Sequence, residues 1–374
     1  MHEGKYTLNF SDEKIRGDIN KPQSYTIFAI GFAKWWGCDP RALARSFRGL
    51  GHHLIEIDAE DYISWRWSGF VARVLRRLFI KIFVNNYNRS VIDQAKASNF
   101  DFILVFKGMY LKEETLNDLR LCGKPIYNFY PDVSYTDHGA YIPAALKHYD
   151  CVFTTKSYHG PKEQEAFSIR DMVLVRHGFD PEVHRPIRLS QAQIKHYGCD
   201  VSFVGCWSPE KESLIQHIIN KRSNINIIVY GIGWKYSSSE FKKALGKNLK
   251  PGAFGDELAI IHNASKVNLG LLSRAAGDPA MSDQTTVRTF QIPASGSLML
   301  HEDTPEVRSY FQPEKEVMLF DGESDLLLKL DKILSDGPLR ETIQNNGYQR
   351  CMRERYDYSN AAEVIVKKFV SQVT

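Results

Sequence analysis

Short apolar segments alternate with helix-like segments along the chain, and this rhythm restricts the fold more than any other sequence feature. Most of the apolar segments are rich in β-branched or aromatic residues and end on glycine, aspartate or another polar residue. Such alternation predicts an α/β fold with parallel sheets. We predict strands at residues 25–31, 53–58, 100–108, 124–132, 149–155, 171–178, 201–205, 225–233, 266–272, 297–302 and 316–320.

The length of the chain favours two domains, because 374 residues exceed the roughly 100 to 200 residues of a typical domain. A polar stretch follows the sixth predicted strand, and the strand–helix rhythm restarts at Asp200. We therefore predict two similar Rossmann-like domains, at residues 1–185 and 186–356.

Composition and charge exclude several classes of protein. The contents of 43% hydrophobic and 25% charged residues are typical of a soluble globular protein. A net charge of +4 is too small to predict nucleic-acid binding. Six scattered cysteines indicate reduced thiols, and the sequence has neither a secretory signal nor an apolar run of about 18 residues. We expect the protein to lie in the cytoplasm or on the inner face of a membrane.

Two segments have the pattern of a phosphate site, in which a strand end or polar loop leads into a helix N-terminus. Gly205 ends a predicted strand and Lys211 follows where a helix begins. Thr285 and Thr286 precede a second helix start, with Arg288 one turn in. Backbone amides, the helix dipole and a basic side chain together favour an anion. An ordinary capped helix with a solvated arginine explains the second segment equally well.

Six motifs follow one another between residues 177 and 307. In order, they are HGFDPEVHRP (177–186), FVGCWSPEK (203–211), INIIVYGIG (225–233), GAFGDEL (252–258), KVNLGLLSR (266–274) and RTFQIPASGSLMLHEDTPEV (288–307). Together they resemble the donor half of GT-B glycosyltransferases, and within that group they are similar to the spore-maturation (CgeB-type) glycosyltransferase-like family.

This resemblance implies a GT-B fold, an α/β architecture of two Rossmann-like domains facing across a cleft. It places the acceptor on residues 1–185 and a nucleotide-diphosphate sugar on residues 186–356. It also implies that a C-terminal helix at 357–374 packs back on the first domain. No cofactor is expected besides the nucleotide sugar, which is a substrate.

The resemblance also assigns roles to residues of the second half. Lys211 and Arg288 would contact the donor diphosphate, Gln291 the ribose, and the loops around Gly231, Gly233 and Phe254 the base. The predicted donor set is Gly205, Lys211, Gly231, Gly233, Phe254, Asp283, Thr285, Thr286, Arg288 and Gln291.

Two features of the sequence depart from the pattern of many retaining relatives. Cys206 stands where those relatives have an arginine, and Asp283 and Gln291 stand where they have two glutamates eight positions apart. A glutamine can hydrogen-bond a ribose hydroxyl but carries no charge. The stereochemistry of transfer therefore stays open.

In the first half, two loops after predicted strands should face the cleft. One supplies Asp132, Asp137 and His138, which could deprotonate an acceptor hydroxyl, although an Asp-His-Gly turn is also common turn chemistry. The other loop supplies acceptor-side residues, namely Gly31, Lys34 and Trp35. Because no Asp-x-Asp motif ends a strand, no metal site is predicted.

Residues 62–92 contain no acidic residue and interleave arginine and lysine with aromatic side chains. A basic, aromatic amphipathic segment suits the headgroup region of an anionic membrane, so residues 65–84 are a predicted membrane-contact segment. A buried helix with a basic outer face is the equally weighted alternative.

These features predict a metal-independent hexosyltransferase of polysaccharide biosynthesis that uses a glycan or lipid-linked acceptor. Two other functions stay open. A nucleotide-sugar epimerase or hydrolase of the same fold would turn over the donor without an acceptor. A catalytically silent protein would bind the donor and never turn it over, which Cys206 and Gln291 would explain.

Overall fold

The computed structural model describes residues 23–34, 36–62, 70–274 and 282–373. The strands in these ranges are β1 (Thr26–Ile30), β2 (His53–Ile57), β3 (Phe102–Phe106), β4 (Ile126–Tyr130), β5 (Cys151–Thr154), β6 (Met172–Leu174), β7 (Cys199–Val204), β8 (Ile227–Tyr230), β9 (Leu249–Lys250), β10 (Ser265–Gly270), β11 (Met299–Glu302) and β12 (Met318–Phe320).

The α-helices in the same ranges are α1 (Asp39–Gly49), α2 (Phe70–Ala97), α3 (Glu113–Arg120), α4 (Tyr141–Ala145), α5 (Pro161–Ala166), α6 (Gln191–Tyr197), α7 (Pro209–Lys221), α8 (Ser239–Leu245), α9 (Gly255–Ala264), α10 (Val287–Ala294), α11 (Pro305–Tyr310), α12 (Gly322–Ser335), α13 (Gly337–Arg353) and α14 (Ser359–Val373).

The strands form two six-stranded parallel sheets, with the orders β2-β1-β3-β4-β5-β6 and β12-β11-β10-β7-β8-β9. In each sheet the first strand of its half lies between two later strands, so the strand order reverses there. A ligand crevice forms at the carboxyl ends of strands at such a reversal. The predicted α/β fold with two Rossmann-like halves is confirmed.

The predicted strand positions agree with the structure. Each of the eleven predicted segments overlaps an observed strand. The prediction missed β9, a two-residue edge strand that pairs with β8. Two residues are too few to give a hydrophobic period, so no sequence pattern marks this strand.

The central strands of the first sheet are buried along their whole length, as their continuous apolar runs require. One face is covered by α1 and α14, and the other by α2 and α3. The second sheet is covered in the same way, with α7, α8 and α12 on one face. Each half therefore has its own apolar core on both sides of its sheet.

After α13 the chain returns to the first sheet, where α14 packs beside α1. The ring of Phe369 lies 4.9 Å from that of Phe102. The two segments that join the halves run side by side, and the Phe179 amide donates to the Tyr356 carbonyl at 3.2 Å. A Cβ on Gly178 would lie 2.7 Å from the Tyr358 nitrogen, so this approach requires glycine.

Helix α2 has two parts that differ in burial. Toward its start, several large apolar side chains are exposed, namely Val74, Leu75, Leu78, Phe79 and Ile82. From Val84 onward the apolar side chains are buried against the first sheet. Within the described ranges, every helix is too short or too polar to span a membrane.

Candidate functional site

A cavity of about 510 Å³ lies between the carboxyl ends of the two sheets. Its wall from the first half consists of Gly31, Ala33, Gly37, Cys38, Asp39, Pro40, Asp58, Ala59, Glu60, Tyr87, Phe106, Lys107, Gly108, Met109 and Tyr110. Its wall from the second half consists of Val204, Gly205, Cys206, Ala253, Phe254, Leu258, Val287, Arg288 and Gln291. The cavity is therefore a cleft between the two predicted domains.

Two basic side chains stand in the first turns of helices beside this cleft. Lys211 is buried in the first turn of α7, and its Nζ donates to Ser273 Oγ at 2.8 Å and to the Cys206 carbonyl at 3.3 Å. Arg288 is partly buried in the first turn of α10, and its Nη2 donates to the Leu271 carbonyl at 2.6 Å. In the described part of the chain, these hydrogen bonds all end on neutral oxygens.

The electrostatics of this pair favour an anion. Burial lowers the pKa of Lys211 to about 8, and the nearby Arg288 charge acts in the same direction. The Nε of Arg288 is enclosed and has no hydrogen-bond partner among the described residues. A buried cation without a direct salt bridge is costly, although burial, which lowers the pKa of both cations, is opposed by the nearby charges of Asp283 and Glu302. Two helix N-termini add positive potential. An anion such as a diphosphate would relieve both costs.

Glycines allow the backbone to approach this anion site closely. A Cβ on Gly205 would lie 2.9 Å from Arg288 Nη1, so a side chain there would displace the guanidinium. Gly231 is packed even more tightly, because its Cβ would lie 1.9 Å from the Gly205 carbonyl oxygen. Gly233 has φ of +86°, a left-handed conformation that favours glycine. These three predicted donor residues thus shape the loops that follow β7 and β8.

The remaining predicted donor residues fall into two groups. Gln291 and Phe254 line the cleft, and about half of the Phe254 side chain is exposed. Thr285 and Thr286 are buried before α10 and outside the cleft lining, and the Thr286 amide donates to Thr289 Oγ1 at 2.9 Å. The Thr286 hydroxyl is enclosed without a partner in the described residues.

Asp283 makes a contact that the sequence did not predict. Its Oδ1 accepts from Lys156 Nζ at 2.7 Å, and both side chains are almost fully buried. Lys156 follows β5 of the first sheet, so this ion pair joins the two halves. His177 lies beside it, with Nε2 2.9 Å from Thr155 Oγ1 and 3.4 Å from Lys156 Nζ. Burial and the Lys156 charge hold the pKa of His177 well below its ordinary value.

The predicted catalytic residues cluster at one end of the first sheet, beyond the cleft lining. Asp132 Oδ2 lies 2.6 Å from Lys107 Nζ and 3.4 Å from His138 Nε2. Asp137 is exposed, and its carboxylate accepts from the Thr136 hydroxyl at 3.4 Å. Lys107 lines the cleft, so its ion pair with Asp132 connects that carboxylate to the cavity wall.

The predicted acceptor-side residues are also separated. Gly31 lines the cleft with φ of +77°, and a Cβ there would lie 2.8 Å from the Phe106 carbonyl oxygen. Lys34 points to solvent and pairs with Asp61 at 2.8 Å. Trp35 lies outside the described residues.

Sequence reasoning missed three carboxylates of the cleft wall, those of Asp39, Asp58 and Glu60. Asp39 is the first residue of α1, and burial raises its pKa to about 6. Asp58 ends the segment after β2, and its carboxylate accepts from the amides of Lys34 and Glu60 at 3.2 and 3.0 Å. The single sequence signal for Asp39 is its place before Pro40 at a helix start, which is common to many helices.

Residues 210–367 match the model of a family described as glycosyl transferase-like. No curated protein sequence matches the chain significantly.

Solved structures resemble the whole fold. A sucrose-phosphate synthase from Thermosynechococcus elongatus has a TM-score of 0.61 and 14% identity, over 93% of this chain and 99% of that chain. A glycosyltransferase from Rickettsia africae has a TM-score of 0.62 and 11% identity, over 94% and 99%. Anabaena HepE in complex with UDP-glucose has a TM-score of 0.60 and 11% identity, over 93% and 100%. The chain therefore has the GT-B fold, and its residues 210–367 are similar to the glycosyl transferase-like family.

Proposed function

We propose that this protein transfers a hexose from a nucleotide-diphosphate sugar to a hydroxyl of a glycan or lipid-linked acceptor. Residues 186–356 hold the donor and residues 1–185 the acceptor. The pair of cations at two helix N-termini, Lys211 and Arg288, carries this proposal. Their hydrogen bonds to neutral oxygens leave a positive potential that a diphosphate would balance.

The same pair supports transfer without a metal ion. In the transition state, negative charge develops on the leaving diphosphate as the glycosidic bond breaks. Preorganised cations and helix N-termini stabilise such charge in a site that excludes water. Lys211 and Arg288 are held by hydrogen bonds before the donor arrives, so little reorganisation is needed. The order of the motifs around them favours membership of the CgeB-type group.

Uridine nucleotides are the first donors to test. HepE has been solved with UDP-glucose, and an α-glucosyltransferase with UDP and DNA shares the fold, with a TM-score of 0.59. In this chain, the half-exposed Phe254 and the exposed Ile232 flank Gly252 beside the cleft. An exposed aromatic ring next to glycine-containing loops suits stacking of a base.

A thermal-shift series with UDP, GDP and dTDP and their hexose conjugates tests the proposal. A nucleotide at 100 times its Kd stabilises the folded state by about 2.7 kcal/mol, and EDTA should leave that shift unchanged. The protein and the stabilising conjugate are then incubated with and without extracts that contain glycan or lipid-linked acceptors. Transfer only with acceptor supports the proposal, donor turnover alone indicates a hydrolase or epimerase, and binding without turnover indicates a silent protein. Absence of any nucleotide shift would refute the donor site.

The exposed part of α2 supports peripheral contact with an anionic membrane. The apolar side chains of this patch recur at helical spacing, and Arg77 and Lys81 are exposed within it. An apolar stripe flanked by cations suits the headgroup boundary of an anionic leaflet. Tyr87, on the same helix, lines the cleft. It lies nine residues beyond Leu78, about 13 Å along the axis, so a lipid-linked acceptor could reach the site.

A further inference from the structure

We propose that Asp39 is the base that removes the proton from the acceptor hydroxyl, an inference that rests on the transferase function proposed above. Asp39 begins α1 and lines the first-half wall of the cleft. The opposite wall carries Arg288 and Gln291. An acceptor lying against the first wall therefore has a carboxylate on its own side of the cavity, and the donor diphosphate site is on the other.

The other acidic groups near the cleft, Asp58, Glu60 and Asp132, already have structural partners. Asp58 accepts two backbone amides and so holds the loop after β2. Asp132 pairs with Lys107 at 2.6 Å. Asp39 forms no salt bridge with a cation among the described residues, so its carboxylate can accept a proton from a substrate without first breaking an ion pair.

The surroundings of Asp39 suit a base that works near neutral pH. Burial is the largest influence and raises its pKa to about 6 from an ordinary value of 3.8. Lys107 and the Tyr358 hydroxyl act in the opposite direction. The titratable groups that face it are Cys38, Lys107, Asp132, Asp180 and Tyr358. A base with a pKa just below the working pH is mostly ionised and still takes up a proton readily.

The step that this geometry allows is a single displacement. The acceptor O–H bond breaks as its proton moves to a carboxylate oxygen of Asp39. The acceptor oxygen forms a bond to the anomeric carbon of the donor sugar. The bond from that carbon to the diphosphate oxygen breaks, and its electron pair leaves on the diphosphate beside Lys211 and Arg288.

The test compares the full-length chain with Asp39→Asn and Asp39→Glu. UDP binding is measured by calorimetry, and UDP release from UDP-glucose is measured with water as the acceptor, which needs the same proton removal. We expect Asn to preserve UDP affinity within about twofold. It should lower UDP release at least about 100-fold, the lower end of the usual contribution of a general base. Glutamate, which keeps a carboxylate, should recover part of the rate.

The pH dependence of the wild-type chain gives a readout that needs no variant. The rate should fall about tenfold per pH unit below about pH 6, because the base must be ionised. Residual turnover by Asp39→Asn should lack this acidic limb. Asp132→Asn, measured in parallel, tests the alternative carboxylate.

The outcomes separate the two proposals. If wild type neither binds UDP, GDP or dTDP nor releases any of them from their hexose conjugates, the transferase function fails and this inference with it. If wild type turns over and Asp39→Asn retains its rate, or if Asp132→Asn alone abolishes turnover, Asp39 is not the base and the transferase function stands.

Discussion

The two walls of the cleft differ in charge and in the elements that supply them. The second-half wall has cations in the first turns of helices, Lys211 beside it and Arg288 within it. The first-half wall has the carboxylates of Asp39 and Asp58 and the aromatic ring of Tyr87. The second-half wall would stabilise an anion. The first-half wall would provide a proton acceptor beside an apolar surface. Similar folds in the two halves therefore produce opposite chemistry, because different residues follow equivalent strands.

The buried ion pair between Lys156 and Asp283 joins the two halves, and breaking it should have the largest effect on stability. Lys156→Met leaves Asp283 as an uncompensated buried charge, and we expect it to lower the free energy of unfolding by about 3 to 5 kcal/mol. Urea denaturation measures the change. The double variant Lys156→Met/Asp283→Leu should recover most of the loss, because no charge is left without a partner.

A matched control for that experiment is Lys34→Met, which breaks a pair of equal length between exposed side chains. Exposed pairs contribute at most about 1 kcal/mol. Equal losses for Lys156→Met and Lys34→Met would show that burial of the pair does not matter.

The cationic wall is tested by Arg288→Ala and Lys211→Ala. Each should weaken binding of the nucleotide diphosphate by roughly 1.5 to 3 kcal/mol, or tenfold or more, because a charge-assisted hydrogen bond to phosphate is lost. Isothermal titration with UDP measures the loss. Arg308→Ala is the control, because this exposed arginine pairs with Asp303. If both variants bind UDP like the control, the diphosphate site lies elsewhere.

The predicted catalytic residues Asp132, Asp137 and His138 test the role of the first half in turnover. Of these, Asp132→Asn should lower turnover most, by about tenfold or 1.4 kcal/mol, because it releases Lys107 within the cleft wall. UDP affinity should stay unchanged, because the proposed donor site is on the other wall. Steady-state rates of the three asparagine or alanine variants decide the order, and a larger loss for exposed Asp137 would contradict it.

The membrane proposal compares the two parts of α2 and predicts the smallest effect per residue. Each basic residue near an anionic surface contributes about 1 kcal/mol, so Arg77→Glu and Lys81→Glu should each weaken binding to anionic liposomes about fivefold or more. Arg89→Glu is the control, because this exposed arginine stands on the part of the helix whose apolar side chains are mostly buried. Co-sedimentation at low and high salt measures binding. Equal behaviour of all three variants would leave the exposed stripe without a membrane role.

The fold could be predicted from sequence because its signals are local. Apolar runs such as 100–108 and 124–132 mark strands that are buried on both faces, and the helices between them imply parallel pairing. Helix α2 shows the limit of this reasoning. Its more apolar first part, residues 70–83, has exposed apolar side chains, whereas the apolar side chains of the more polar remainder are mostly buried, so composition alone would have predicted the reverse.

The candidate site could be predicted only in part, because its two walls depend on different information. Lys211 and Arg288 were found because each stands at a fixed offset from a loop and a helix start. The pairing of Asp283 with Lys156 joins residues 127 positions apart, and no local pattern records it. Asp39 was missed because its burial arises only in the folded chain, and because Lys107 and Tyr358, which act on its pKa, come from separate segments.

The paired connecting segments limit how the molecule can open. Because Phe179 and Asp357 are bridged and Gly178 touches Tyr358, the two connecting segments run together along a single line. Rotation of the halves about this line is the hinge motion that the pairing favours. Such a rotation would have to break the buried ion pair between Lys156 and Asp283, so this pair opposes opening of the cleft. Any side chain at position 178 would shift that axis and change the angle at which the two walls meet.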